Sequence, residues 1–179
     1  MPTRAEAPSL EGLVVTRAAV LTVSDRSSRG EREDVGGPAV AQALRGLGLD
    51  VETVALVSDD RAAIAAKLRE LATDHRLIVT TGGTGLAPRD VTPDATRDVL
   101  DREAAGFGEE MRRRGAVTFA RAILTRATAG TIGATFVLNL PGSPKGAVEC
   151  LGFVAEPMLH VLKLLEGAQA DCADEPRTR

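Results

Sequence analysis

The chain has 179 residues, 44% hydrophobic and 26% charged, with 22 Lys and Arg against 25 Asp and Glu for a formal net charge of −3. That length suits one domain with a full core, and the charge balance argues against a nucleic-acid or polybasic membrane surface. With four Phe and neither Trp nor Tyr, a stacking platform for single strands is also disfavoured.

Residues 1–16 read as a polar arm containing Pro and Gly, and 167–179 as a similar tail, leaving 17–166 as the folded domain. The first twelve residues lack an apolar signal core, and no apolar run reaches membrane-spanning length. "AAVLTVS" (18–24) is a short β-branched run and reads as a buried strand. "DRSSRGEREDVGG" reads as a long polar loop. Pro38 opens a helix to Leu47, with Val40, Leu44 and Leu47 on one face. "VETVALV" (51–57) is a second strand. Ser58, Asp59 and Asp60 then supply a cap for a helix from Arg61 to Leu71. "RLIVTT" (76–81) is a third strand, and it runs into a glycine loop. Thr92 as N-cap and Pro93 in the first turn start another helix. A helical piece is expected around Gly108–Arg114, then short extended segments around a turn in "AILTRATAGTIG". "TFVLNL" (135–140) is the last strand. Ser143 caps the closing helix and Pro144 opens it, and Pro157 is expected to break or kink it.

This alternation predicts an α/β fold, a mainly parallel sheet with helices on both faces. Ligands in such sheets bind beyond the carboxyl ends of the strands. Those ends carry Ser24-Asp25, Ser58-Asp59-Asp60, Gly82 to Gly85 and Asn139 to Ser143, four clusters expected along one edge.

The stretch "TTGGTGLAPRDVTPDAT" (80–96) is the most informative. Gly82, Gly83, Thr84 and Gly85 form a turn that exposes backbone N–H groups and suits phosphate oxygens. On the glycines alone, a tight structural turn is an equal reading. The glycine spacing is neither that of a P-loop nor that of a dinucleotide fingerprint. Asp59 and Asp90 beside such a nest suit Mg²⁺, which takes oxygen ligands and bridges phosphates. Against that stand helix-dipole and turn roles for the same acids. Ser24, Asp25, Asn139 and Ser143 also read as turn or cap residues. Thr125-Arg126 pairs a hydroxyl with a guanidinium, suited to phosphate or carboxylate, although a surface arginine is the commoner reading of such a residue. Arg112, Arg113 and Arg114 read as a solvated face. Arg89 is compatible with a phosphate contact or with a neighbouring carboxylate. His75 and His160 have no paired nucleophile and receive no catalytic role. Cys150 and Cys172 fit no metal spacing and read as reduced thiols of a cytoplasmic protein.

The stretches "VLTVSDRSSRGEREDVGGPAV", "VSDDR", "LIVTTGGTGLAPRDVTPDAT", "AILTRATAG" and "FVLNLPGSPKGAVECL" together resemble the molybdopterin adenylyltransferases, the Mog/MoaB group, across roughly residues 16–166. The resemblance implies a three-layer α/β/α fold of the molybdenum cofactor biosynthesis type, its mostly parallel sheet carrying one antiparallel strand. It also implies a homotrimer, or a hexamer built from trimers. The implied reaction is Mg-ATP-dependent adenylylation of molybdopterin, releasing pyrophosphate before a molybdenum-insertion enzyme adds molybdate. By matching positions, Asp59 and Asp90 become the catalytic and Mg²⁺-binding pair, and Gly82, Gly83, Thr84 and Gly85 hold nucleotide phosphate. Ser24, Asp25, Thr125, Arg126, Pro141, Gly142 and Ser143 line the pterin side. The family commonly has Ser where this chain has Thr125. Asp60 could substitute for or assist Asp59. The alternative is a non-catalytic molybdopterin-binding paralogue acting as carrier or scaffold.

Overall fold

The structure is a computed structural model and describes residues 16–167; all of the expected arm but Thr16, which is buried, and all of the expected tail but Gly167, Cys172 included, lie outside them. The chain runs β1 (Arg17–Val23), α1 (Asp25–Ser28), α2 (Gly36–Gly46), β2 (Asp50–Val57), α3 (Arg61–Leu71) and β3 (Leu77–Thr81). It continues through α4 (Thr92–Arg97), β4 (Arg102–Glu103), α5 (Ala105–Thr118), a 3₁₀ turn (Ala120–Leu124), β5 (Ala129–Ile132), β6 (Thr135–Leu140) and α6 (Pro144–Leu165).

The six strands make one sheet in the order β2-β1-β3-β6-β5-β4. β2, β1, β3 and β6 pair in parallel. β5 is antiparallel to both its neighbours and is the single reversed strand. Successive side chains on a strand face opposite ways, and here each set meets helices. Ala18, Val20, Leu77, Val79, Phe136 and Leu138 share one core cluster with α2, α5 and α6. Ala19, Leu21, Val23, Ile78 and Val137 share the other with Ile64, Leu68 and Val99 from the α3–α4 side. Burial on both faces explains why these strands read as continuous apolar runs rather than alternating ones.

The helices follow from spacing and caps. α3 buries Ile64, Ala65, Leu68 and Leu71, one stripe at helical period. Its Asp60 Oδ1 accepts the Ala63 N–H at 2.7 Å, a cap contribution of about 1 kcal/mol. Ser143 does the same for α6, accepting the Gly146 N–H at 3.0 Å.

The register sets the site. Val23 pairs with Val57, Thr22 with Thr81, and Thr81 with Leu140. The four parallel strands therefore end level, and the loops after them emerge along one edge.

Several expectations are corrected. Part of the polar loop, Asp25–Ser28, is a short helix because the Ser24 Oγ accepts the Ser27 N–H at 3.2 Å. α2 begins at Gly36, two residues before Pro38; a proline fits there because the first helical turn needs no N–H donor. Thr92 is the first residue of α4 rather than its cap, for its N–H is drawn to the Gly83 carbonyl at 3.1 Å. The piece at 108–114 is a longer helix, and "AILTRATAGTIG" holds a 3₁₀ turn as well as β5. β4 was not foreseen; two exposed residues carry no periodicity. Pro157 neither breaks α6 nor ends it. It lies on the exposed face, where water can satisfy the carbonyl four residues earlier.

Candidate functional site

The strand ends are tied to one another by polar contacts. The Ser24 N–H donates to the Val57 carbonyl at 2.9 Å. Asp25 and Asp59 then clasp reciprocally: the Asp25 N–H donates to Asp59 Oδ2 at 2.8 Å, and the Asp59 N–H to Asp25 Oδ1 at 3.0 Å. The other Asp25 oxygen pairs with Arg89, which reaches back from the loop after β3. Of the two readings of Arg89, the carboxylate partner is the observed one. The Asp59–Asp60 ambiguity also resolves: Asp60 caps α3, and Asp59 faces the loops.

The glycine loop is forced by its surroundings. Gly82 and Gly83 have φ of +107° and +60°, backbone regions that disfavour side chains. A Cβ on Gly82 would lie 2.3 Å from the Val23 carbonyl oxygen. One on Gly83 would lie 2.4 Å from Thr92 Oγ1 and 3.3 Å from Asp59 Oδ1. The N–H groups of Gly83, Thr84, Gly85 and Leu86 make no hydrogen bond to another described residue. Consecutive unpaired N–H groups in such a turn form an anion-binding concavity.

Asp90 closes the far side. Its Oδ2 accepts the Ala87 N–H at 2.8 Å, and its own N–H donates to the Ala87 carbonyl at 2.8 Å. A Cβ on Gly85 would lie 2.7 Å from Asp90 Oδ2. Asp59 thus stands against the Gly83 end of the loop and Asp90 against the Gly85 end.

Two cavities flank the loop, each about 260 Å³. One has a wall of mixed polar and apolar surface that includes Ser24, Asp34, Asp59, Gly82, Gly83 and Gly142. The other is more apolar. There Thr84, Gly85, Thr125, Pro141 and Ser143 meet Met111, Phe119 and Phe153 from α5, the segment after it and α6. The expected residues are therefore brought together, but on two sides of one loop. Asp25, Asp90 and Arg126 line neither cavity and belong to the polar network around the loop.

Arg126 is unusually committed. Its Nε donates to the Gly85 carbonyl at 2.9 Å, Nη1 to both Asp94 oxygens at 2.9 Å, and Nη2 to the Asp90 carbonyl. Its own N–H donates to the Thr84 carbonyl at 2.7 Å. Next to it, the Thr125 hydroxyl donates to Thr84 Oγ1 at 3.0 Å.

Among the described residues, no three His, Cys, Asp or Glu side chains are grouped to hold a metal. Oδ1 of Asp59 and Oδ1 of Asp90 carry no hydrogen bond to another described residue.

Three features were missed from sequence. Asp34 anchors the first cavity, accepting from Thr22 Oγ1 at 2.8 Å and from the Gly37 N–H at 3.0 Å. Its signal was the "EDVGG" run, an acid three residues ahead of a glycine amide. Arg112 is not on a solvated face; its Nη1 reaches the Thr125 and Ala127 carbonyls at 3.2 and 3.4 Å. Arg113 and Arg114 do stay at the surface, where hydrogen bonds, first from Arg113, hold Glu110 down at about 2. The apolar wall of the second cavity comes from distant helices and had no local signal.

Residues 19–161 match the family described as a probable molybdopterin binding domain. The chain is 38% identical over 176 residues to the molybdopterin adenylyltransferase of Escherichia coli K12, covering 89% of this chain and 90% of that one. It is 41% identical over 148 residues to the molybdopterin adenylyltransferase of Haemophilus influenzae, covering 80% and 75%. The crystal structure of the molybdopterin biosynthesis enzyme MoaB from Thermus thermophilus superposes with a TM-score of 0.80 at 47% identity, covering 85% of this chain and 97% of that one. With the family matched across most of the folded domain and the three-layer architecture shared, the chain belongs to the molybdopterin-binding domain family of molybdenum cofactor biosynthesis proteins.

Proposed function

We propose that this chain catalyses adenylylation of molybdopterin, with Mg-ATP as second substrate and pyrophosphate as leaving group, and so readies the pterin for a molybdenum-insertion enzyme. The observation that carries the reading is the run of unpaired N–H groups from Gly83 to Leu86, with Asp59 at one end and Asp90 at the other. Relatives named molybdopterin adenylyltransferase at 38–41% identity support it.

In the proposed reaction, a terminal phosphate oxygen of molybdopterin bonds to the α-phosphorus of ATP. The bond from that phosphorus to the bridging oxygen of the β-phosphate breaks, and its electron pair leaves with pyrophosphate. Such transfers need alignment and charge neutralisation more than covalent help. The loop Gly82, Gly83, Thr84 and Gly85 offers N–H donors to nucleotide phosphate oxygens. Asp59 and Asp90 would hold the accompanying Mg²⁺, which when bound offsets phosphate charge. Ser24 and Gly142 on one side of the loop, and Thr125, Pro141 and Ser143 on the other, are the residues offered to the pterin; Asp25, its carboxylate tied to the Asp59 N–H and to Arg89, braces the first side. The homotrimer, or hexamer of trimers, stays part of the proposal. Exposed Val117, Phe119 and Ile123 are consistent with a contact between copies.

The test is pyrophosphate release from purified protein with Mg-ATP and fresh molybdopterin, beside Asp59→Asn and Asp90→Asn. Pterin-dependent release that falls on the order of 100-fold in each variant, at unchanged thermal stability, is expected. No release with pterin binding retained would sink the enzyme reading and leave the carrier or scaffold.

A further inference from the structure

We propose that Arg126 is a positioning residue that fixes the peptide orientation of the glycine loop and the placement of Asp90, and does not itself contact the ligand. The catalytic part of this rests on the function proposed above; the structural part does not.

The loop cannot orient itself. Gly82, Gly83 and Gly85 have no side chains to restrict them, and glycine moves readily between positive and negative φ. Something outside the loop must choose which way its peptide groups face. Arg126 does so at four points: its backbone N–H holds the Thr84 carbonyl, and its guanidinium holds the Gly85 and Asp90 carbonyls and the Asp94 carboxylate. In a trans peptide the carbonyl and the following N–H point in opposite directions. Turning the Thr84 and Gly85 carbonyls toward Arg126 therefore turns the N–H groups of Gly85 and Leu86 away from it, where an anion can meet them. The same guanidinium holds the Asp90 carbonyl, and so sets where the Asp90 carboxylate begins.

All three guanidinium nitrogens already have acceptors, and Arg126 lines neither cavity. The brace is itself braced. Arg112 on α5 holds the carbonyls on either side of Arg126, and Thr125 Oγ1 ties to Thr84 Oγ1. The Arg126–Asp94 pair is about one-third exposed on both partners, so screened attraction alone is a minor part of this role. The fork geometry matters more. A lysine ammonium keeps the charge but cannot reach acceptors spread around a planar guanidinium.

The deciding measurement combines amide exchange with kinetics for Arg126→Lys and Arg126→Ala. In ligand-free protein, exchange at Asp90 and Thr92, whose N–H groups bond to the Ala87 and Gly83 carbonyls, should accelerate by about 10-fold or more while α6 is unchanged. With substrates, kcat should fall on the order of 100-fold with KM changed by less than about threefold. Millimolar guanidinium ion should restore part of the rate of Arg126→Ala and none of that of Asp90→Ala. A KM raised about tenfold or more with loop exchange unchanged would overturn the proposal and make Arg126 a ligand contact. If Arg126→Ala does not fold, Arg126→Lys decides alone. If the wild-type protein releases no pyrophosphate, the proposed function fails, yet the exchange comparison still judges the brace: unchanged exchange refutes it, and local loosening upholds it.

Discussion

Replacing Gly82 with Ala adds one methyl group at the most constrained point of the loop. Gly82 has φ of +107°, and holding an L-residue in such a region costs about 1–3 kcal/mol. The new Cβ would lie 2.3 Å from the Val23 carbonyl oxygen. That oxygen is backbone of β1, which is paired on both sides by β2 and β3, so it cannot swing aside as a side chain would. Withdrawal in the other direction is limited by Gly142, whose own Cβ would lie 3.1 Å from Gly82 Cα. Overpacking of this kind adds about 1–3 kcal/mol. The expected loss is therefore about 4 kcal/mol, and at about 2–4 °C per kcal/mol for a domain of this size the Tm falls by about 8–16 °C. The control is Gly152→Ala in α6, where a Cβ meets nothing within 4 Å and helix propensity favours alanine by about 0.5–1 kcal/mol. Urea and thermal unfolding of both variants at one protein concentration measure the pair. A Gly82→Ala loss below about 1 kcal/mol, or the same sign for both substitutions, would refute the packing argument.

Two further outcomes are expected. Burial, then the charge of Glu149, pushes the Cys150 thiol up to about 11; in a Cys172→Ser background, alkylation should rise about tenfold per pH unit from 8 to 10, and a plateau near 8.5 would contradict it. Glu103 is held below the usual carboxylate range by the Thr128 hydroxyl first and Arg97 second, so its contribution is present above about 4.5 and fades as pH falls through the lowered value. Because that side chain is 40% exposed, Glu103→Gln should lower stability by no more than about 0.5 kcal/mol at pH 7 and by less at pH 3. An equal loss at both pH values would show that the carboxylate's charge is not what matters.

The fold was readable because its core elements announce themselves locally. Buried strands such as Leu77–Thr81 are unbroken apolar or threonine runs, and α3 carries both its cap and its stripe. What escaped was tertiary. β4 is two exposed residues whose strand identity exists only through Thr131 and Gly130 across the gap. Thr92 has every local mark of an N-cap, but the Gly83 carbonyl takes its N–H and the hydroxyl is buried without a partner. The site's outline was legible because level strand ends bring loops together in any parallel sheet. Its division into a cavity of mixed polarity and a more apolar one was not, since Met111, Phe119 and Phe153 reach the loop only through helix packing.

Residues of one type end up in opposite jobs here, and the reason is geometric. Asp59 and Asp60 are adjacent and both follow the end of β2. The Asp60 carboxylate turns to the first N–H groups of α3, and that of Asp59 crosses to the Asp25 amide. Only the one that misses the helix is left beside the glycine loop. Arg89 and Arg126 divide in the same way. Arg89 is 68% exposed and meets one carboxylate from solvent, whereas Arg126 is 31% exposed and has every nitrogen engaged. An exposed arginine on one carboxylate can let go; one whose guanidinium holds two backbone carbonyls and a carboxylate keeps the loop still. If that division is right, Arg89→Ala should leave exchange at Thr92 unchanged, and Arg126→Lys should not. Equal loosening in both would mean that the loop is held by its total positive charge, not by the reach of one guanidinium.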